Sequence, residues 1–181
     1  MKVIGIGGSL RSGSQSEYAV RVALLGAEEA GASTTLIAGE QLQLPFYDVA
    51  IADRTEAARR LVEEIRQADG LIVGSPGYHG GPSGLIKNAL DYLEDLRDDE
   101  RPYLTGRAVG LVAVAAGWQA AVGTLNQLRT TTHALRAWPT PLGLAINSRE
   151  TKFDDTGGCN DTGVYDKLRL IGRQVATFNA D

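Results

Sequence analysis

The sequence predicts an α/β fold: a single doubly wound domain in which five parallel strands alternate with helices packed on both faces. Three observations carry this. Short apolar runs alternate with amphipathic stretches along the whole chain, the pattern of repeated βαβ units. The chain has 181 residues, enough for one well-buried domain and too few for an eight-fold barrel of about 250 residues. The loops after the first and third apolar runs are rich in glycine and serine, and in an open parallel sheet those loops flank the point where the winding reverses.

The elements follow in order. The first strand is Lys2 to Gly7, with Val3, Ile4 and Ile6 apolar. A helix from Glu17 to Ala30 carries Ala19, Val20, Ala23, Leu24 and Ala27 at helical spacing and stops at Gly31. The second strand is Ser33 to Ala38. Residues 41–48 hold a proline and no period, so they form a loop ahead of a helix from about Asp53 to Ala68. Strand three, Gly70 to Gly74, leads into a second glycine-rich loop and a helix from Ser83 to Leu96. Strand four is Ala108 to Ala115, followed by a helix from Gln119 to Ala137. Strand five is Leu142 to Ile146, and the last helix runs from Asp161 to Asn179. The loop between these last two is polar and expected to be mobile. Five parallel strands favour the order 2-1-3-4-5, with residues 1–181 as one domain.

Composition narrows the function classes. The formal charge is −4 with no basic block, which argues against a nucleic-acid partner held through phosphate neutralisation. The chain opens on Met1-Lys2 without a signal-peptide pattern, and no run approaches the roughly 20 apolar residues of a membrane span, so a cytoplasmic protein without a membrane partner is expected. Cys159 has no second cysteine to bridge and no companion thiols for a metal, and in its polar loop it reads as an incidental thiol.

The loop after strand one is Gly7-Gly8-Ser9-Leu10-Arg11-Ser12-Gly13-Ser14-Gln15-Ser16. Its glycines let the backbone close on a ligand, its serines offer hydroxyls, Arg11 brings a fixed positive charge, and the following helix contributes free N–H groups with a dipole that favours an anion. A P-loop lysine is absent, and the dinucleotide spacing Gly-x-Gly-x-x-Gly fails at Leu10. A terminal phosphate monoester fits better. Helix capping accounts for one serine, but not for four together with Arg11.

The loop after strand three, Ser75-Pro76-Gly77-Tyr78-His79-Gly80-Gly81-Pro82-Ser83-Gly84, has two prolines that fix φ and four glycines that expose amides. A flat heteroaromatic ring with acceptors on one edge suits such a backbone, with Tyr78 and His79 beside it. Taken singly, Tyr78 reads better as a half-buried loop aromatic and His79 as a surface or satisfied loop histidine; placed at the switch point opposite a phosphate loop, both read as ligand contacts. Asp48, Asp91 and His133 stand apart and read as surface or helix-end residues.

These two segments, continued through Leu85-Ile86-Lys87-Asn88-Ala89-Leu90-Asp91 and joined by Leu44-Pro45-Phe46-Tyr47-Asp48, resemble the NADPH-dependent FMN reductase family over nearly the whole chain. The resemblance implies a flavodoxin-like three-layer sandwich that binds FMN and takes hydride from NADPH or NADH. It implies that Ser9, Arg11, Ser14, Gln15 and Ser16 surround the FMN phosphate and that Pro76, Gly77, Tyr78, His79 and Gly80 line the ring. It also implies that the turn Ala116-Gly117-Trp118 completes the pocket through Gly117. Ser16 stands where many members carry asparagine, and Gly117-Trp118 where they carry further glycines.

Hydride chemistry belongs to the cofactor, so no acid–base pair is required of the protein. Amides facing the ring edge on which negative charge develops do the electrostatic work. Members of the resembled family pass electrons to a quinone or azo compound, or release reduced FMN to a monooxygenase. The competing reading is a non-catalytic electron carrier of flavodoxin type, which Arg11 and the mild acidity disfavour. Apolar residues from Leu44 to Tyr47 and the resemblance together imply a homo-oligomer, a dimer or tetramer.

Overall fold

In the computed structural model, which describes residues 1–179, Val3, Ile4 and Ile6 are fully enclosed. Their strand β1 (Lys2–Gly7) lies between β2 (Ser33–Ala38) and β3 (Gly70–Tyr78), parallel to both. β3 pairs next with β5 (Ala108–Ala115), again in parallel. The far edge is shared by β6 (Trp138–Pro139) and β7 (Leu144–Asn147), which pair with opposite ends of β5. The expected order 2-1-3-4-5 is therefore present across the sheet, its fifth position split in two. Pro139 and Pro141 lack the N–H groups that would carry an unbroken ladder through this edge.

Alternation along the strands divides the core. On one face α1 (Gln15–Glu29) and α5 (Thr162–Ala176) cover Val3, Ile72, Val112 and Val114. On the other, α2 (Glu56–Arg66), α3 (Gly84–Asp91) and α4 (Trp118–Ala134) cover Ile4, Ile6, Leu71, Val73 and Leu111. The helices on the first face approach closely. A Cβ on Gly26 would stand 2.0 Å from the Arg169 carbonyl oxygen, and one on Gly172 would stand 1.8 Å from that of Ala23. Glycine is what lets the two backbones touch.

Several boundaries differ from the sequence expectation for local reasons. β3 does not stop at Gly74. It continues through Pro76 to Tyr78 and folds back on the two-residue strand β4 (Gly81–Pro82), with Gly77 opposite Pro82 and Tyr78 opposite Gly81. Pro76 is tolerated because it lies past the last β1 pair, Gly7 with Gly74. The helix expected to reach Leu96 ends at Asp91 and tightens into a 3-10 turn, Tyr92–Leu96. α2 starts at Glu56, capped by the Thr55 hydroxyl, which accepts from the Ala58 N–H at 3.3 Å.

At the opposite end of the sheet from the glycine loops, Arg107 is almost wholly enclosed. Its guanidinium donates to the carbonyls of Ala68 (2.9 Å), Tyr103 (2.5 Å) and Arg66 (2.9 Å). Burial, then the neighbouring Arg101, lowers its pKa to about 10, still protonated at neutral pH. No described helix is long and apolar enough to cross a membrane.

Candidate cofactor site at the ends of the strands

The loop between β1 and α1 owes its shape to two left-handed glycines, Gly8 at φ 95° and Gly13 at φ 69°. Ser14 then caps α1, its hydroxyl accepting from the Glu17 N–H at 3.2 Å and lying 3.3 Å from the Ser16 hydroxyl. Glu17, itself buried, accepts from the Gly13 N–H at 3.1 Å and from Arg21 at 2.7 and 3.0 Å. With Gly13 and Glu17 committed, the N–H groups of Gln15 and Ser16 at the helix start remain without a partner among the described residues. So do those of Ser9, Leu10, Arg11 and Ser12 in the loop. Arg11 is exposed and makes no ion pair among the described residues. This donor set, with the dipole of a 15-residue helix behind it, fits a phosphate.

The loop after β3 is a hairpin turn. His79 (φ 53°) and Gly80 (φ 85°) occupy its two central positions, the type I′ geometry that demands positive φ at both. Their N–H groups have no partner among the described residues. α4 backs the turn. Gln127 donates to the Gly80 carbonyl at 2.9 Å, and Thr124 fills the space where a Gly77 side chain would stand, with Oγ1 2.6 Å from that position. At the base of the hairpin the Ser75 hydroxyl accepts from the Ser83 N–H at 3.0 Å.

Two adjoining cavities join these parts. One of about 320 Å³ is walled by Gln15, Ser16, Pro76, Gly77, Tyr78, residues 114–116 and Ser148. The other, of about 500 Å³, is walled by Gly77, His79, Gly80, Ala116, Gly117, Gln119 and Ala120. Gly77 and Ala116 belong to both, so the cleft is continuous from the start of α1 to the start of α4. The second cavity opens onto the N-terminus of α4, where the N–H groups of Gly117, Trp118 and Gln119 lack partners among the described residues. Positive helix ends thus stand at both limits of the cleft.

Of the residues expected from sequence, Gln15, Ser16, Pro76, Gly77, Tyr78, His79, Gly80 and Gly117 line the cleft. Ser9, Arg11 and Ser14 belong to the loop leading into it. Gln15 differs from expectation in one respect, because its side-chain amide is engaged by the backbone of Phe153 at 2.9 and 2.8 Å, leaving its N–H as the free donor. Tyr78 and Trp118 are exposed beside the cleft. Asp48 and His133 are exposed, and Asp91 pairs with Lys87. Burial pushes the Cys159 thiol up, away from the thiolate that a nucleophile needs.

Sequence reasoning missed the backing residues Thr124 and Gln127 and the wall residue Ser148. Thr124 and Gln127 lie on a helix whose pattern announces only a buried face. Ser148 comes into place because its N–H donates to the Ala115 carbonyl at 2.8 Å, a partner 33 positions away.

A parallel sheet wound in this order, with a phosphate-type loop and a glycine turn at its switch point, defines a mononucleotide-binding protein of flavodoxin-like fold. The model of the NADPH-dependent FMN reductase family matches residues 1–151, and the chain belongs to that family. It is 33% identical over 177 residues to an NAD(P)H-dependent FMN reductase of Pseudomonas aeruginosa, covering 97% of this chain and 91% of that protein. An FMN-dependent NADPH-azoreductase of Staphylococcus aureus is 31% identical over 140 residues, 76% of this chain and 71% of that enzyme. Among solved structures, the flavoenzyme NAD(P)H:(acceptor) oxidoreductase FerB of Paracoccus denitrificans superposes with a TM-score of 0.73 at 20% identity, over 96% of this chain and 94% of that one. The chain is an NAD(P)H-dependent oxidoreductase with FMN as its cofactor.

Proposed function

We propose that FMN lies along the continuous cleft with its phosphate in the α1 cradle and its ring against the hairpin, and that a small-molecule acceptor such as a quinone or azo compound enters beside Tyr78 and Trp118. The observation that carries this is the run of N–H groups without a partner among the described residues: Ser9 to Ser12, Gln15 and Ser16 at one end, His79, Gly80 and the start of α4 at the other. FMN, when bound, supplies hydride acceptance from NAD(P)H and onward electron transfer.

The chain's own residues do the rest. Arg11, the loop amides and the hydroxyls of Ser9, Ser14 and Ser16 hold a dianion. Pro76 to Gly80 would present backbone to the ring, and Gly117 would leave room beside it. The N-terminus of α4 favours negative charge where the ring gains electrons. Tyr78 and His79 are the titratable side chains walling the two cavities.

The same reading makes the protein a homo-oligomer and places it in the cytoplasm, where it meets NAD(P)H. Phe46, Val49 and Ile51 are exposed on a loop held firmly from behind, apolar surface suited to a second copy. Flavin release to a monooxygenase is the other outcome of the same kinetic test. Anaerobic mixing of the FMN-loaded protein with NADPH is expected to bleach the flavin's visible band, and an azo dye is expected to restore it. An unbleached band would sink the reductase reading. Saturation by free FMN in steady-state turnover would show release instead of retention. Arg11→Ala is expected to raise the FMN Kd by about tenfold or more, as loss of a charge-assisted phosphate contact does.

A further inference from the structure

Gln15 lines the cleft, yet its side-chain amide is taken up in a paired contact. Its Nε2 donates to the Phe153 carbonyl at 2.9 Å, and its Oε1 accepts from the Phe153 N–H at 2.8 Å. The amide thus closes on one residue's backbone as a neighbouring strand would. Phe153 lies two residues past the end of the family match at residue 151. Its side chain is buried with Tyr18, Val20 and Leu168 in the core beneath α1 and α5.

The segment from Ser148 to Asp161 that carries Phe153 is internally braced. Asp154 accepts from the Thr156 and Gly158 N–H groups at 2.9 and 2.8 Å and from the Thr156 hydroxyl at 2.6 Å. Asn160 accepts from the Lys152 N–H at 2.7 Å and donates to the Glu150 carbonyl at 3.0 Å. Phe153 and Cys159 form a bridge across the turn. These bonds tie the turn together along its length. Among the described residues, the start of the segment is joined to the body of the domain ahead of it by the Ser148 N–H to the Ala115 carbonyl and by Asn147, which bonds Arg149, Glu150 and Thr151; past Thr151 the Gln15 pair is the hydrogen-bonded attachment. Ser148 and Gln15 wall the same cavity.

We propose that Gln15 is a positioning residue, a latch that fixes the Ser148–Asp161 segment against the start of α1 and so holds the phosphate end of the FMN cleft at its binding width. The inference rests on the FMN reading and deepens it. With the latch closed, the Gln15 and Ser16 N–H groups and Ser148 keep fixed separations before FMN arrives. Less ordering is then needed on binding, which raises affinity. With it open, the part of the segment past Thr151 is released from the start of α1, and the Gln15 backbone in the cleft wall loses its brace.

The wild-type protein provides the first test, through hydrogen exchange of the Phe153 amide with and without saturating FMN. A latch that shares its closed state with the bound state predicts exchange slowed by about tenfold or more when FMN is added. Faster exchange on adding FMN would mean that the flavin draws the Gln15 side chain away from Phe153, and would overturn the proposal. The second test is Gln15→Leu, measured well below its unfolding temperature. Its FMN Kd, read by flavin fluorescence, is expected to rise about tenfold while the KM for NADPH stays unchanged. An FMN Kd within about twofold of wild type would show that the pair only braces the fold. Failure of wild-type protein to bind FMN appears in the same titration before any variant is made, and removes the underlying reading along with the latch.

Discussion

Arg54 meets Asp95 through two parallel hydrogen bonds of 2.8 Å while its guanidinium lies 4.5 Å from the centre of the Tyr47 ring and 5.5 Å from that of Tyr92. A third bond, to the Asp48 carbonyl at 2.8 Å, ties down the loop ahead of α2. Asn88 supports the same loop, accepting from the Tyr47 N–H at 2.8 Å and donating to the Pro45 carbonyl at 2.9 Å. The hydrogen bonds from Arg54 hold the Asp95 carboxyl below the usual carboxylate range. A carboxylate depressed in the folded state contributes stability above its unfolded pKa and loses it as pH falls through the folded value. Acid unfolding is therefore expected to draw on this pair below about pH 4. Asp95→Asn should cost about 2 kcal/mol at neutral pH and flatten the acid limb of the stability profile. Urea melts across pH check this, and an unchanged acid limb would rule the pair out as its source.

For the elements, the decisive contact is the crossing of α1 and α5. Both helices carry a glycine at the point of nearest approach, and a Cβ on Gly172 would stand 1.8 Å from the Ala23 carbonyl oxygen and 2.7 Å from the Ala27 nitrogen. In an exposed helix a glycine-to-alanine change adds about 1 kcal/mol of stability. Here the clash is with backbone on both sides, so Gly172→Ala is expected to lose about 3 kcal/mol. A lower urea midpoint at constant slope would show it, and a raised midpoint would mean that the helices separate freely. Gly26 and Gly172 weaken each as an isolated helix and become favourable only when the other is present. The β3 hairpin has the same character. Pro76 reads as a strand breaker, and only the loss of the β1 neighbour beyond Gly7 permits it.

At the scale of the whole molecule, apolar exposure is uneven. Phe46 is 89% exposed and Val49 72%, on a loop pinned by Arg54, Asn88 and the Tyr92 hydroxyl. Expectation from sequence placed that surface at Leu44 to Tyr47. Leu44 and Tyr47 instead pack against the core, and the exposed set is shifted towards Ile51. A rigid apolar patch keeps its shape on association and so loses little entropy when covered. Phe46→Glu is expected to convert the proposed oligomer to monomer in sedimentation at micromolar concentration, with the fold intact by circular dichroism. Wild-type protein that already sediments as a monomer would remove the second copy from the account.

The sequence by itself determined the sheet and the two loops above it. Strand and helix periods are local, and Gly8, Gly13, Gly80 and the serines around Arg11 announce their backbone and hydrogen-bonding roles within a few residues. The tertiary structure alone decided which donors stay free. Glu17 takes the Gly13 N–H, Ser14 takes that of Glu17, and Phe153 engages the Gln15 side chain from 138 positions away. Arg107 is the same lesson at the other end of the sheet: it is buried where three carbonyls converge on it. Whether a polar group binds a ligand or another part of the chain depends on what folding brings within 3 Å, and that is a property of long-range packing that no local pattern carries.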